Sequence, residues 1–93
     1  MIRTVKISKS AKRDIERVPT FIADKLLSWV KRVEKAGLEE VRKIKGYHDE
    51  PLYGDRQGQR SIRLSLAYRA IYLIRRDGII DFVSVEEVNK HDY

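Results

Sequence analysis

Apolar residues recur along this chain at two spacings, and the change from one to the other divides it. In residues 1–7, Ile2, Val5 and Ile7 stand among polar neighbours with one shift of phase, which predicts a short strand. Ala11, Ile15 and Val18 then repeat at helical spacing behind Ser8 or Ser10, either of which suits an N-cap, so a helix is predicted over residues 9–18. Pro19 stops it, and proline is equally at home in the first turn of a following helix. From Thr20 onward Phe21, Ile22, Leu26, Trp29, Val30 and Val33 form an apolar stripe, with Lys25, Lys31, Arg32 and Lys35 mostly opposite. This second helix is expected to end at Ala36-Gly37 with the glycine as C-cap, and the two helices make a hairpin.

Residues 38–43 have room for a further helical turn, and 46–51 read as loop from their glycine, proline and acidic residues. The period then falls to two. Leu52-Tyr53 precede the turn-rich Gly54-Asp55-Arg56-Gln57-Gly58-Gln59, and Ser61-Ile62-Arg63-Leu64-Ser65 alternates. Over residues 68–74 one face carries Tyr68, Ala70, Tyr72 and Ile74, the other Arg69, Ile71 and Leu73. An Asp77-Gly78 turn closes that strand, residues 79–88 give a last one, and 89–93 are expected to be a polar tail. The predicted class is α+β: an N-terminal strand and a helical hairpin packed on one face of a small antiparallel sheet, with the other face partly free.

Composition narrows what such a fold is for. The 93 residues contain no linker, composition break or repeat, so a single domain spanning 1–93 is expected. There is no cysteine and no apolar run near the roughly 20 residues that cross a bilayer, which points to a soluble, cytoplasmic protein without a membrane partner. Twenty Lys+Arg against fourteen Asp+Glu leave a formal charge of +6, a field that attracts nucleic acid first and an acidic protein second. With two histidines and no HExxH or carboxylate cluster at ligand spacing, no metal site or cofactor is expected. A phosphate-binding loop is absent as well, because Gly54 to Gly58 lacks the GK[ST] ending and a following helix.

What remains is a series of cations on or near strands, namely Arg56, Arg60, Arg63 and Arg69. A planar guanidinium suits a phosphate or its pentavalent transition state through two parallel hydrogen bonds. Arg60 and Arg63 fall on opposite strand faces unless the loop before Ser61 brings them together. Arg69 stands inside a mostly apolar strand, where an unpaired charge is costly unless it faces a cleft or partner. Cleaving RNA without a metal needs a base for the 2′-hydroxyl proton, cations for the phosphorane and an acid for the leaving 5′-oxygen. Glu50 and His91 can carry protons, and Tyr93 can donate one or stack on a base.

The run Leu52-Tyr53-Gly54-Asp55-Arg56-Gln57-Gly58-Gln59-Arg60-Ser61-Ile62-Arg63-Leu64, followed by Tyr68-Arg69-Ala70-Ile71-Tyr72, resembles the central signature of the RelE/ParE toxin superfamily: L-x-G, a turn, R-x-I-R-L, then Y-R-x-x-Y. Residues 7–15 and the Pro19-led helix resemble its opening helical hairpin, and the segment around Gly54-Asp55-Arg56 is similar to its HigB-like branch. The resemblance covers essentially the whole chain. It implies the toxin of a bacterial type II toxin–antitoxin pair that enters the ribosome, cleaves messenger RNA without a metal, and is silenced by an acidic antitoxin. It further implies that Arg63 and Arg69 are transition-state ligands, that His91 and Tyr93 match terminal acid/base or stacking groups, and that Glu50 matches the general base of YoeB-like members. RelE-like members place lysines around L-x-G, whereas here the neighbours are Tyr53, Asp55 and Arg56, leaving Arg56, Arg60 and the more distant Lys45 as candidate RNA contacts. The same superfamily includes ParE-like proteins that inhibit DNA gyrase by binding, without cleaving RNA.

Overall fold

The computed structural model describes residues 1–90. Strand β1 (Val5–Ile7) leads into helices α1 (Lys9–Arg17), α2 (Thr20–Ala36) and α3 (Leu38–Val41). Strands β2 (Glu50–Pro51), β3 (Arg60–Arg63), β4 (Tyr68–Asp77) and β5 (Ile80–Lys90) follow, with 3₁₀ turns at Lys45–Tyr47 and Gly54–Arg56. The five strands form one sheet in the order β1-β5-β4-β3-β2.

The expected all-antiparallel sheet is in fact mixed, because β1 joins it parallel to β5, with Val5, Lys6 and Ile7 opposite Val83, Ser84 and Val85. One edge of β4 is taken by β3, so β5 offers the free edge. Ser8 secures the junction: its hydroxyl accepts from the Ala11 amide at 3.0 Å as N-cap and donates to the Glu86 carbonyl at 3.1 Å. Asp14 on α1 accepts the Val88 amide at 2.9 Å, so the helix supplies an acceptor where β1 no longer pairs with β5.

Helix α2 buries Ile22, Leu26, Trp29 and Val33, a stripe at spacings of four, three and four. Phe21 does not belong to it; at 64% exposed, it lies a helical step away from Ile22, facing solvent. Gly37, at φ +91°, ends the helix, and its amide bonds to the Val33 carbonyl at 2.8 Å. The helices cover the sheet face that presents Ile62, Ala70, Tyr72, Val83, Val85 and Val88, and the rings of Trp29 and Tyr72 meet at 5.2 Å and 44°. Strict alternation from Val83 and Val85 would turn Val88 away. The register instead skips Glu86 between the pairs Tyr72–Val85 and Ile71–Glu87, and this bulge returns Val88 to the core while placing Glu87 and Asn89 on the open face.

Three further boundaries differ from expectation. The expected loop at 46–51 holds a 3₁₀ turn with Tyr47 buried and the edge strand β2, where Pro51 needs no amide partner, so the strand precedes Leu52-Tyr53. Asp77 pairs with Ile80, so the hairpin loop is Gly78-Ile79, with the glycine at φ +63° as the first loop position of a II′-type turn demands. Asn89 and Lys90, expected in the tail, pair with Arg69 and Tyr68, since backbone pairing needs no apolar side chain where a neighbouring strand is already in place. No helix among the described residues is long and apolar enough to cross a membrane.

Trp29→Ala should cost about 3–5 kcal/mol of unfolding free energy in urea titrations, whereas Phe21→Ala should stay within about 0.5 kcal/mol of the parent. Equal losses would show that Phe21 shares the core.

Candidate functional site

The open sheet face carries its chemistry at the β2-β3-β4 end. Ile62 and Ala70 face the helices, so their neighbours Arg63 and Arg69, which are register partners, both face away. Like charges directly opposite on a sheet repel. Neither arginine forms an ion pair among the described residues, and the Arg69 Nε is buried with no hydrogen-bond partner there. The two guanidiniums flank a cleft of about 90 Å³ that His48, Glu50, Ser61, Ser65, Leu66 and Tyr68 also line. The cleft is open to solvent on the free face of the sheet and has room for a small polar group.

Glu50 reaches the cleft because it is the register partner of Ser61 on β2. His48 arrives by a turn of the backbone into the left-handed region, φ 45° and ψ 50°, and its Nε2 lies 3.5 Å from an Arg63 Nη1. It is the one non-glycine residue among those described with positive φ, and such strain concentrates at functional sites. Sequence reasoning assigned His48 no role; its only signal was being one of two histidines in a loop next to Glu50.

The other expected RNA contacts are placed differently. Arg56, from the 3₁₀ turn, reaches to β5 and donates to both carboxylate oxygens of Glu87, at 2.8 and 3.3 Å. That pairing, followed by the Asn89 amide and the Arg69 charge, outweighs burial and holds the Glu87 carboxyl below its ordinary value. Arg60 does not join Arg63. It lies beside Tyr72 on the helix side of the sheet, its Nε 2.6 Å from a buried Asp49 carboxylate oxygen, because β3 keeps its alternation up to its first residue. Lys45 is exposed in its 3₁₀ turn and does not line the cleft. His91 and Tyr93 lie outside the described residues. Among the described residues no group of three or more His, Asp or Glu side chains could hold a metal ion.

The order of elements and the cation-lined open face set this chain beside known toxins. A family model of the ParE toxin of type II toxin–antitoxin systems (parDE) matches residues 5–88. The chain belongs to the ParE toxin family. Among solved structures it is similar to a YoeB/ParE toxin from Agrobacterium tumefaciens, at 20% identity and TM-score 0.72, covering 96% of this chain and 99% of that one. It is also similar to YafQ from E. coli strain BL21(DE3), at 16% identity and TM-score 0.74 over 96% and 93% of the two chains. A third is the RelBE2 toxin–antitoxin complex from Mycobacterium tuberculosis, at 23% identity and TM-score 0.61 over 98% and 100%. Identities this low establish the shared RelE-like fold. Among curated proteins no relative matches.

Two measurements probe the geometry of this toxin directly. His48→Gly, which removes the left-handed penalty at some cost in unfolded-chain entropy, should leave unfolding free energy unchanged or raise it by up to about 1 kcal/mol; a clear loss would show the imidazole to be structural. Because the Glu87 carboxyl is depressed in the folded state, its stabilisation is present above the ordinary value of 4.5 and is lost as pH falls through the folded value. Glu87→Gln should therefore cost roughly 0.2–1 kcal/mol at neutral pH, the pair being partly exposed, and that cost should shrink as the pH falls below 4.5. A pH-independent difference would contradict the pairing.

Proposed function

We propose that this toxin is an endoribonuclease that cleaves messenger RNA, in the cytoplasm and on the ribosome, without a metal ion. The observation that carries the reading is the pair of guanidiniums, Arg63 and Arg69, side by side on the open face, neither in an ion pair among the described residues, at a cleft of about 90 Å³ that Glu50 and His48 share. Two cations forced together on a sheet have a use when a phosphate lies between them. In the reaction, the Glu50 carboxylate takes the proton of the 2′-hydroxyl, and that oxygen forms a bond to phosphorus. Arg63 and Arg69 stabilise the extra charge of the phosphorane. The bond from phosphorus to the 5′-oxygen then breaks, and a protonated group supplies the proton, leaving a 2′,3′-cyclic phosphate and a 5′-hydroxyl. His48, beside Arg63, is one source of that proton; His91 and Tyr93 are the sequence-derived alternatives.

The partner that silences the toxin is proposed to be an acidic antitoxin. The +6 charge of the chain favours such a partner, and RelBE2 and the E. coli DinJ–YafQ structure are both toxin–antitoxin complexes on this fold. A second reading has one specific observation in its favour: the family model that matches is that of the ParE toxin, and the superfamily that the sequence resembles includes ParE-like proteins that inhibit gyrase by binding, without cleaving RNA.

Primer-extension mapping of mRNA during translation decides between them. Cleavage by the parent protein is expected, with Arg63→Ala and Arg69→Ala each slower by about 10²–10³-fold and Glu50→Gln by about 10²–10⁴-fold. An intact transcript together with blocked supercoiling by gyrase would establish the second reading.

A further inference from the structure

The segment that brings His48 and Glu50 to the cleft holds a carboxylate between them that points the other way. Asp49 is 1% exposed in its side chain, and both of its oxygens are engaged: Oδ1 accepts from Arg60 Nε at 2.6 Å, and Oδ2 accepts from the Tyr72 hydroxyl at 2.6 Å. Arg60 Nη2 also donates to the Asp49 carbonyl at 3.3 Å, and Arg42, at the end of α3, donates through Nε to the Tyr72 oxygen at 3.3 Å. Burial first, and the bond to Asp49 second, keep the Tyr72 phenol protonated at any ordinary pH. A buried pair of this kind contributes little net stability, since apolar residues of similar volume often do as well. What it supplies is geometry. It ties the segment to β3, β4 and α3 at a single point.

We propose that Asp49 is a positioning residue, anchored by Arg60 and the Tyr72 hydroxyl on the helix side of the sheet so that its chain neighbours His48 and Glu50 are held at the cleft on the other side. Arg60 then serves the anchor and not RNA. The left-handed backbone at His48 agrees with this, because a strained turn persists only where its surroundings over-determine it. The catalytic side of the proposal rests on the nuclease reading above; the structural side does not.

The test uses the full-length toxin with Asp49→Asn, Arg60→Gln, the double variant, and Tyr72→Phe, which removes only the hydroxyl. Side-chain NMR signals of His48 and Glu50 report their positions without requiring activity. Single-turnover cleavage on programmed ribosomes reports rate, and binding of a single-stranded oligoribonucleotide across a salt series reports phosphate contacts. Asp49→Asn is expected to shift the His48 and Glu50 signals and to slow cleavage about 10- to 100-fold, with substrate affinity held within about threefold. The double variant, which restores a neutral hydrogen-bonded pair, should lose less than the two single losses combined. Tyr72→Phe should shift the same signals to a smaller extent, and it carries the test if Asp49→Asn does not fold. If the parent cleaves no RNA, the nuclease reading fails and the NMR signals alone decide the anchor. Unshifted signals in both Asp49→Asn and Tyr72→Phe would overturn it. So would an Arg60→Gln variant that binds the oligoribonucleotide more weakly with a salt dependence reduced by about one phosphate contact.

Discussion

Tyr72 sits with its ring against Trp29 and its hydroxyl on Asp49, and the phase of the sheet depends on it. A strand has two faces and a period of two, so once Tyr72 and its neighbour Ala70 are committed to the helices, Arg69 and Ile71 have no choice but the other side. Pairing carries the decision outward. Ile62 follows Ala70 into the core, Arg63 follows Arg69 out of it, and Glu50 follows Ser61. A slip of one residue would expose an aromatic ring and bury a guanidinium, an error of several kcal/mol in the wrong direction. One aromatic contact beneath the sheet therefore decides which charges lie above it.

Those charges are not arranged for stability. Arg56, Arg75 and Arg76 each form an ion pair with a carboxylate on β5, and Arg60 with Asp49; among the described residues Arg63 and Arg69 form none, and Arg63 has an imidazole beside it. The distribution separates cations that close the fold from cations left over for a ligand. It also explains why a formal excess of positive charge is a poor guide on its own, since two of the expected RNA contacts, Arg56 and Arg60, are already occupied. Under the proposed reading, a phosphate arriving between Arg63 and Arg69 would convert a repulsion into two attractions, so part of its binding energy would be set aside when the sheet forms.

Much of this was legible along the chain because the signals were local. The stripe from Ile22 to Val33, the Pro19 break, the Gly37 cap and the alternation from Tyr68 to Ile74 each lie within a few residues of the feature they specify. The candidate site was half legible for the same reason: Arg69 stood out as a charge in an apolar strand, and Glu50 and Arg63 stood in the segments that pairing later joins. What escaped was settled at a distance. No local signal announces that β1 will find β5, that the register will skip Glu86 to save Val88 for the core, or that Asp49 will claim Arg60. Phe21 was misplaced because it is adjacent to Ile22 in sequence but about 100° away around the helix, a difference that decides burial at a stripe's edge.

His48 and Glu50 bring these threads together, because in the proposed anchor they owe their position to the buried carboxylate between them. If Glu50 and His48 act as base and acid, as proposed, a loop free to move would hold them at the cleft only part of the time, and the rate would carry that fraction as a penalty. Placing a carboxylate between them and sinking it against Arg60 and Tyr72 removes the freedom at its centre, leaving each side chain one residue from a fixed point. The anchor and the sheet's phase then share the same tyrosine: its ring decides that the arginines face the cleft, and its hydroxyl helps to hold the segment from which the carboxylate and imidazole reach them. The two arginines and the segment of His48 and Glu50 come from parts of the chain more than ten residues apart, and a single side chain in the core bears on both.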